Sequence, residues 1–246
     1  MALLDHPFSD QSKCDPVDAV ALTSSTSNVL SFPRYDLAER RLTSGGPYRE
    51  WVKRVMDFTL VLVTAPIWLP LILVMALFVA RDRHNPFYTQ DRIGQNGRVF
   101  RIIKLRSMVH DADKVFEAYL AANPEARAEW DATQKLKNDP RITRFGRFIR
   151  KSSLDELPQL INVLWGDMSI VGPRPMMVSQ RGLYPGRSYY DMRPGMTGFW
   201  QISNRNQCRF AYRARYDNAY FNSMSLRTDL SVIWRTVGVI ARGTGY

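Results

Sequence analysis

Between Phe58 and Ala80 the chain reads FTLVLVTAPIWLPLILVMALFVA, twenty-three residues without a charged side chain. A helix needs about 20 apolar residues to cross the hydrocarbon core of a bilayer, and uncharged runs of this length are uncommon inside soluble domains. The segment therefore reads as membrane-embedded, and the rest of the chain must be built beside it. How it sits is a separate matter. Pro66 and Pro70 lie near its centre, where each removes an intrahelical hydrogen bond and favours a bend. Arg49, Lys53 and Arg54 precede the run; Arg81 and Arg83 follow it. Positive charge at both ends conflicts with the one-sided bias of a spanning helix. Residues 51–83 thus read equally as a spanning helix or as a re-entrant one that returns to the face it left.

The whole chain carries a formal charge of +11. Seven acids against five bases give residues 1–50 a net of −2, so the remainder carries +13. That surplus implies an anionic partner: nucleic acid, phospholipid headgroups or a phosphorylated substrate. The first fifty residues show no sustained periodicity, and TSSTSN and TSGGP read as loop and linker, so a disordered tail is expected there. Cys14 and Cys208 are far apart and the three histidines are scattered, which suggests neither a disulfide framework nor a metal cluster.

After Arg83 the pattern turns soluble, and residues 84–246 read as one further domain. Gly94 and Gly97 bracket a turn before a strand at Val99–Lys104. Two amphipathic helices divide at Asn123-Pro124. Arg141, Arg144, Arg147 and Arg150 then recur every third residue, with FGRFIR interleaving aromatics among them. A solvated basic face is the common fate of such a run; beside a membrane segment it could also meet headgroups or a diphosphate. Next comes SSLDELPQL, with Asp155 and Glu156 adjacent. Ser153-Leu154-Asp155-Glu156 fits a capping box, and a helix starting with Asp155 as N-cap would put Pro158 at N3. Either register leaves Asp155 at the positive end of a helix with an apolar face of Leu157, Leu160, Ile161 and Leu164, where the dipole favours an ionised carboxylate.

Several blocks at compatible spacing carry a resemblance. They are Gln90, Arg92, Gly94, Gly97 and Phe100 leading to KLRSM at 104–108; NDPRITRFGRFIRKSSLDELPQL; GDMSIVGPRP at 166–175; RPGMTGFWQISNRN at 193–206; and SLRTDLSVIWRT. From about Lys53 to the C-terminus the chain resembles the bacterial sugar transferases. These are monotopic phosphoglycosyl transferases, and the likeness is greatest to the rhizobial members that begin exopolysaccharide synthesis with galactose phosphate. Residues 1–50 lie outside the likeness. The chain departs from the family at Ala65, where serine often precedes the hairpin proline, so Thr64 or packing would have to serve the bend. Asn204 stands where glycine is frequent.

The resemblance implies an α+β, mostly helical fold. It comprises a re-entrant membrane helix hairpin and amphipathic interfacial helices around a small cytoplasmic α/β catalytic core at the inner membrane. It implies transfer of a hexose-1-phosphate, of galactose or glucose type, from a UDP-sugar donor to undecaprenyl phosphate, with UMP released and membrane phospholipids rather than nucleic acid as surroundings. Asp155 is implied as nucleophile, forming a phosphosugar–aspartate intermediate, and as a ligand of Mg²⁺, the implied metal. Glu156 would orient the site, take a proton, or cap the helix. Arg174, held between Pro173 and Pro175, is the first candidate for a substrate phosphate, followed by Arg150; Lys104 and Arg106 would neutralise nucleotide phosphates or meet headgroups. Arg193 and Gln201 fall in the loop resembling the family's substrate-facing segment, while Trp165, Phe199, Trp200, Asp217 and Tyr220 read as structural. The rival reading is a membrane-anchored binder of anionic lipid without catalysis.

Overall fold

The computed structural model describes residues 46–133, 136, 138–203 and 210–241. The tail expected at 1–50 lies almost wholly outside the described residues, as do Cys14, Cys208 and Asn204. Among the described residues the chain is mostly helical, with a small sheet. One π-type turn (Tyr48–Val52) leads into helix α1 (Lys53–Val79), which runs on through both prolines. Only 22% of its most apolar stretch is buried, unlike the core helix of a soluble protein. Leu62, Val63, Ile67, Leu69, Leu73 and Leu77 face outward.

The inward stripe of α1 docks this apolar helix onto the rest of the chain. Val61, Trp68 and Ile72 pack with Ile102, Val163 and Met168, while Ala76 packs with Leu105 and Ile149. The Thr64 hydroxyl donates to the Leu60 carbonyl (2.7 Å) and to that of Val61, and the Trp68 indole N–H donates to Val61 (3.0 Å). Neither carbonyl is that of Leu62, which Pro66 leaves without its helical donor, and α1 continues as one helix past both prolines.

Strands β1 (Phe87–Ile93) and β2 (Val99–Leu105) form an antiparallel hairpin whose tip holds Asn96 (φ 58°) and Gly97 (φ 76°) in the left-handed region. Helices α2 (Ala112–Ala122) and α3 (Pro124–Thr133) follow, divided at the expected proline, and then α4 (Arg144–Lys151) and α5 (Gln159–Trp165). Strands β3 (Ser169–Val171) and β5 (Gly195–Thr197) pair in parallel, and β4 (Met176–Met177) adds to the free side of β1, giving the order β2-β1-β4. Helices α6 (Arg213–Ser223) and α7 (Leu226–Ala241) close the chain. On α7, Leu226, Leu230, Trp234, Val237 and Ile240 form an exposed apolar stripe, with Trp234 79% exposed.

The open edge of β2 is closed by one side chain of α5. Asn162 accepts from the Ile103 N–H (3.1 Å) and donates to the Arg101 carbonyl (2.8 Å), mimicking a neighbouring strand. Asn162 is fully buried, so Asn162→Ala strands both backbone groups away from water. A loss of about 2–3 kcal/mol is expected, read as a lower thermal unfolding midpoint; an unchanged midpoint would show that this side chain does not hold α5 to the sheet.

Candidate active site

The acidic pair is positioned by the way α4 ends and α5 begins. Thr143 caps α4 by accepting from the Gly146 N–H (2.8 Å). Only glycine fits there, because a Cβ on Gly146 would lie 1.9 Å from the Ser107 carbonyl oxygen. After Lys151 the chain reverses through Ser153, held in the left-handed region at φ 57°, into a 3-10 turn over Leu154–Glu156. Neither expected capping register forms: Ser153 makes no side-chain cap bond, and α5 begins only after Pro158. The reason is local. Pro158 has no N–H to bond the Leu154 carbonyl, so the turn tightens to the Leu157 N–H instead (3.3 Å).

This turn sends the two carboxylates to different surroundings. Asp155 is only 8% exposed. Glu156 faces a cleft of about 270 Å³ lined by Arg92, Lys104, Gln159 and Arg174 over Ile102, Pro175, Gly195 and Met196. Its Oε1 accepts from Lys104 Nζ at 2.7 Å, with an Arg174 guanidinium nitrogen at 3.8 Å. Glu156 is thus engaged by a cation. Burial, and then the neighbouring charge of Glu156, push the Asp155 carboxyl up to about 6, against the downward pull of Lys104 and Arg150. The helix start was expected to favour the ionised carboxylate; desolvation raises the group instead, and it still ionises near neutral pH.

Of the other candidates, the fold brings some to the cleft and sends others away. Lys104 and Arg174 line it, and Arg150 acts on Asp155 from α4. Arg106 is engaged elsewhere: it bonds both oxygens of Asp82 at 2.6 Å and the carbonyls of Asn85 and Val79, clamping the end of the membrane helix. Arg193 donates to the Gly166 carbonyl (3.0 Å) and lines a separate cavity of about 420 Å³ with Arg49, Lys53 and Asp57. Gln201 is buried, and neither its amide nitrogen nor its oxygen has a partner among the described residues. Asp217 and Tyr220 are buried in hydrogen bonds to Tyr184 and Asp229, in keeping with their structural reading. Trp165, read as core or interface, is 68% exposed.

Two cleft residues escaped the sequence reading as site residues, Arg92 and Gln159. Gln159 is 2% exposed, and the visible signal was a polar residue directly after proline at the start of a helix whose only other polar residue is Asn162. Arg92 belongs to no basic run and had no local signal beyond its place in a matching block. Among the described residues no three or more carboxylate, imidazole or thiolate groups converge on a metal position. Two adjacent carboxylates nevertheless suit Mg²⁺, which takes one or two such ligands and fills its remaining positions with water and substrate phosphate.

Comparison with known proteins agrees with the resemblance. The family model described as bacterial sugar transferase matches residues 48–243. The UDP-galactose-lipid carrier transferase of Erwinia amylovora is 45% identical over 79% of this chain and 41% of its own length. The exopolysaccharide production protein ExoY of Rhizobium meliloti is 42% identical over 81% of this chain and 89% of its own. The undecaprenyl-phosphate galactose phosphotransferase of Salmonella typhimurium is 44% identical over 79% and 41%. The chain thus spans about two-fifths of the enterobacterial relatives and most of the rhizobial one.

Proposed function

The chain belongs to the bacterial sugar transferase family, and we propose that it is an enzyme moving a hexose-1-phosphate from a UDP-sugar to undecaprenyl phosphate. UMP leaves, and the lipid diphosphate sugar starts an exopolysaccharide. The observation that carries this reading is a buried carboxylate, Asp155, acted on by Lys104 and Arg150, whose sequence neighbour Glu156 lines a cleft where cations outnumber acids. A diphosphate entering such a cleft meets Lys104, Arg92 and Arg174, while Asp155 is withdrawn from water and hence poorly solvated as an anion. That combination suits nucleophilic attack on phosphorus.

In this reading Asp155 attacks the sugar-bearing phosphorus and the bond to the nucleotide phosphate breaks. Carboxylate attack requires no proton to be removed. Glu156 orients Lys104 toward the phosphates and is the group in the cleft able to take a proton from the lipid phosphate. Mg²⁺ held by Asp155 and the substrate phosphates would supply further neutralisation of charge on the departing nucleotide. Galactose is favoured over glucose because the Erwinia and Salmonella relatives are named for galactose.

The seat proposed for this site is the cytoplasmic face of the inner membrane, with α1 re-entrant. Support comes from Pro66 and Pro70 inside α1 and the packing of Val61 and Ala76 from both ends of the helix against one β2. The apolar stripe of α7 would lie in the interface. Single cysteines placed at Trp51 and at Arg83 should both react with a membrane-impermeant thiol reagent from the cytoplasmic side; labelling from opposite sides would mean a spanning helix.

The catalytic reading is tested by UMP release from UDP-galactose and UDP-glucose. Release should require both Mg²⁺ and undecaprenyl phosphate. Continuous release without the lipid would indicate a hydrolase, and no release with any UDP-sugar would favour the lipid-binding rival.

A further inference from the structure

The cations of the cleft fall into two groups. Lys104 and Arg150 are those that act on Asp155. Arg92 and Arg174 act instead on each other and on Glu156. Arg92 is the unusual member. Its guanidinium donates to the Pro175 carbonyl (3.2 Å) and to Gln90 Oε1 (2.5 Å); among the described residues its buried Nε has no partner and no carboxylate lies within ion-pair distance of it. Burial and then the like charge of Arg174 make its protonated state costly. Two guanidinia converging with donors to spare and too little counter-charge are arranged for an anion with several acceptor oxygens. Their backbone is held for the purpose: the buried Arg213 donates to the Arg174 carbonyl, fixing the turn between Pro173 and Pro175.

The chemistry of the proposed reaction says which anion belongs there. Displacement at phosphorus runs roughly in line, with entering and leaving oxygens at opposite apices. In the first half-reaction an Asp155 oxygen bonds to the sugar-bearing phosphorus, and that phosphorus loses its bond to the bridging oxygen, which leaves on UMP. In the second, an oxygen of the lipid phosphate bonds to the same phosphorus, and the bond to Asp155 breaks, restoring the carboxylate; the lipid phosphate attacks as its dianion, any proton on it passing to Glu156. The place opposite Asp155 is therefore filled first by the departing nucleotide phosphate and next by the entering lipid phosphate.

We propose that Arg92 and Arg174 form one phosphate subsite used in turn by the nucleotide and the lipid, and that Arg92 is a substrate-binding residue in both half-reactions. The inference rests on the covalent reading given above. A subsite shared in this way binds the phosphate monoester that UMP and undecaprenyl phosphate have in common. It also accounts for the absence of a carboxylate partner for Arg92, which would compete with both.

The test measures the two half-reactions separately on the full chain in lipid nanodiscs. Adduct formation is followed by intact mass after mixing with UDP-hexose and Mg²⁺, and adduct discharge after removal of nucleotide and addition of undecaprenyl phosphate. Arg92→Gln should slow both by similar factors, on the order of 10- to 100-fold. Arg92→Lys, which keeps the charge and loses the fork, should recover part of both rates. Equal thermal unfolding midpoints would separate this from loss of fold, and a lowered midpoint in Arg92→Gln would pass the decision to Arg92→Lys. Slowing of one half-reaction alone, or of neither, overturns the shared subsite while leaving the covalent reading intact. If the wild type forms no adduct but still turns over, the covalent reading falls and the shared subsite with it.

Discussion

Asp155→Asn is expected to abolish turnover, by on the order of 10³-fold or more, in a protein that is no less stable than the wild type. Both halves of that expectation come from the same burial. Asp155, unlike its neighbour Glu156, is a carboxylate that the fold largely removes from water, and asparagine is nearly its isostere but cannot form the acyl phosphate. Its folded-state value, near 6, lies above the ordinary 3.8. The folded protein therefore binds a proton more readily than the unfolded chain between about pH 4 and 6, and the stability that goes with the neutral form is lost as pH rises through that window. At neutral pH the ionised group costs the fold about 1–3 kcal/mol, a cost the amide does not carry. The variant should thus unfold at an equal or higher temperature than the wild type at pH 7.5. An inactive variant that also unfolds early would point to a structural role for Asp155.

The pH profile of the first half-reaction is the second large effect. Attack requires the ionised carboxylate, so the rate of adduct formation should fall below about pH 6, approaching tenfold per unit, where an ordinary aspartate would hold its rate to about pH 4. Glu156 is the second cause of the upward displacement after burial, and it also occupies Lys104. Glu156→Gln removes the like charge and releases the lysine, so the acid limb should move to lower pH even where the maximal rate drops. A limb that stays in place in Glu156→Gln would mean that the two carboxylates do not act on one another.

What could be read along the chain was whatever is written in local pattern. The uncharged run, the turn at Gly94–Gly97 and the helix division at Asn123-Pro124 appear where periodicity and turn chemistry put them, and the basic repeat, for which no element was fixed, forms a helix over Arg144–Lys151. The acidic pair was visible too, but its register was not. A helix start was expected at Ser153 or Asp155, whereas the left-handed Ser153 and the proline at 158 make a 3-10 turn. Serine carries no special marker for that conformation, which glycine or asparagine would have announced.

The remaining differences concern pairs far apart in sequence. Arg106 was read with Lys104 as neutralising nucleotide phosphates or meeting headgroups. The two part company: Lys104 meets Glu156, while Arg106, just past the end of β2, meets Asp82 at the end of α1. Arg193 followed a matching motif and yet faces a cavity at the base of the membrane helix. Arg92 had the opposite fate: isolated in its strand, it becomes a cleft residue only because β4 and the Pro173–Pro175 turn are laid across the hairpin. No local pattern encodes which distant carboxylate an arginine meets, and that choice decides whether it binds substrate or structure.

The most direct test is the intact mass of the detergent-solubilised protein after incubation with Mg²⁺ and UDP-galactose or UDP-glucose, without lipid acceptor and with Asp155→Asn in parallel. A hexose-phosphate adduct on the wild type, absent from Asp155→Asn and discharged by undecaprenyl phosphate, is the predicted result. An adduct of equal yield on Asp155→Asn, or steady UMP release with no adduct on the wild type, would contradict the assignment of Asp155 as the nucleophile.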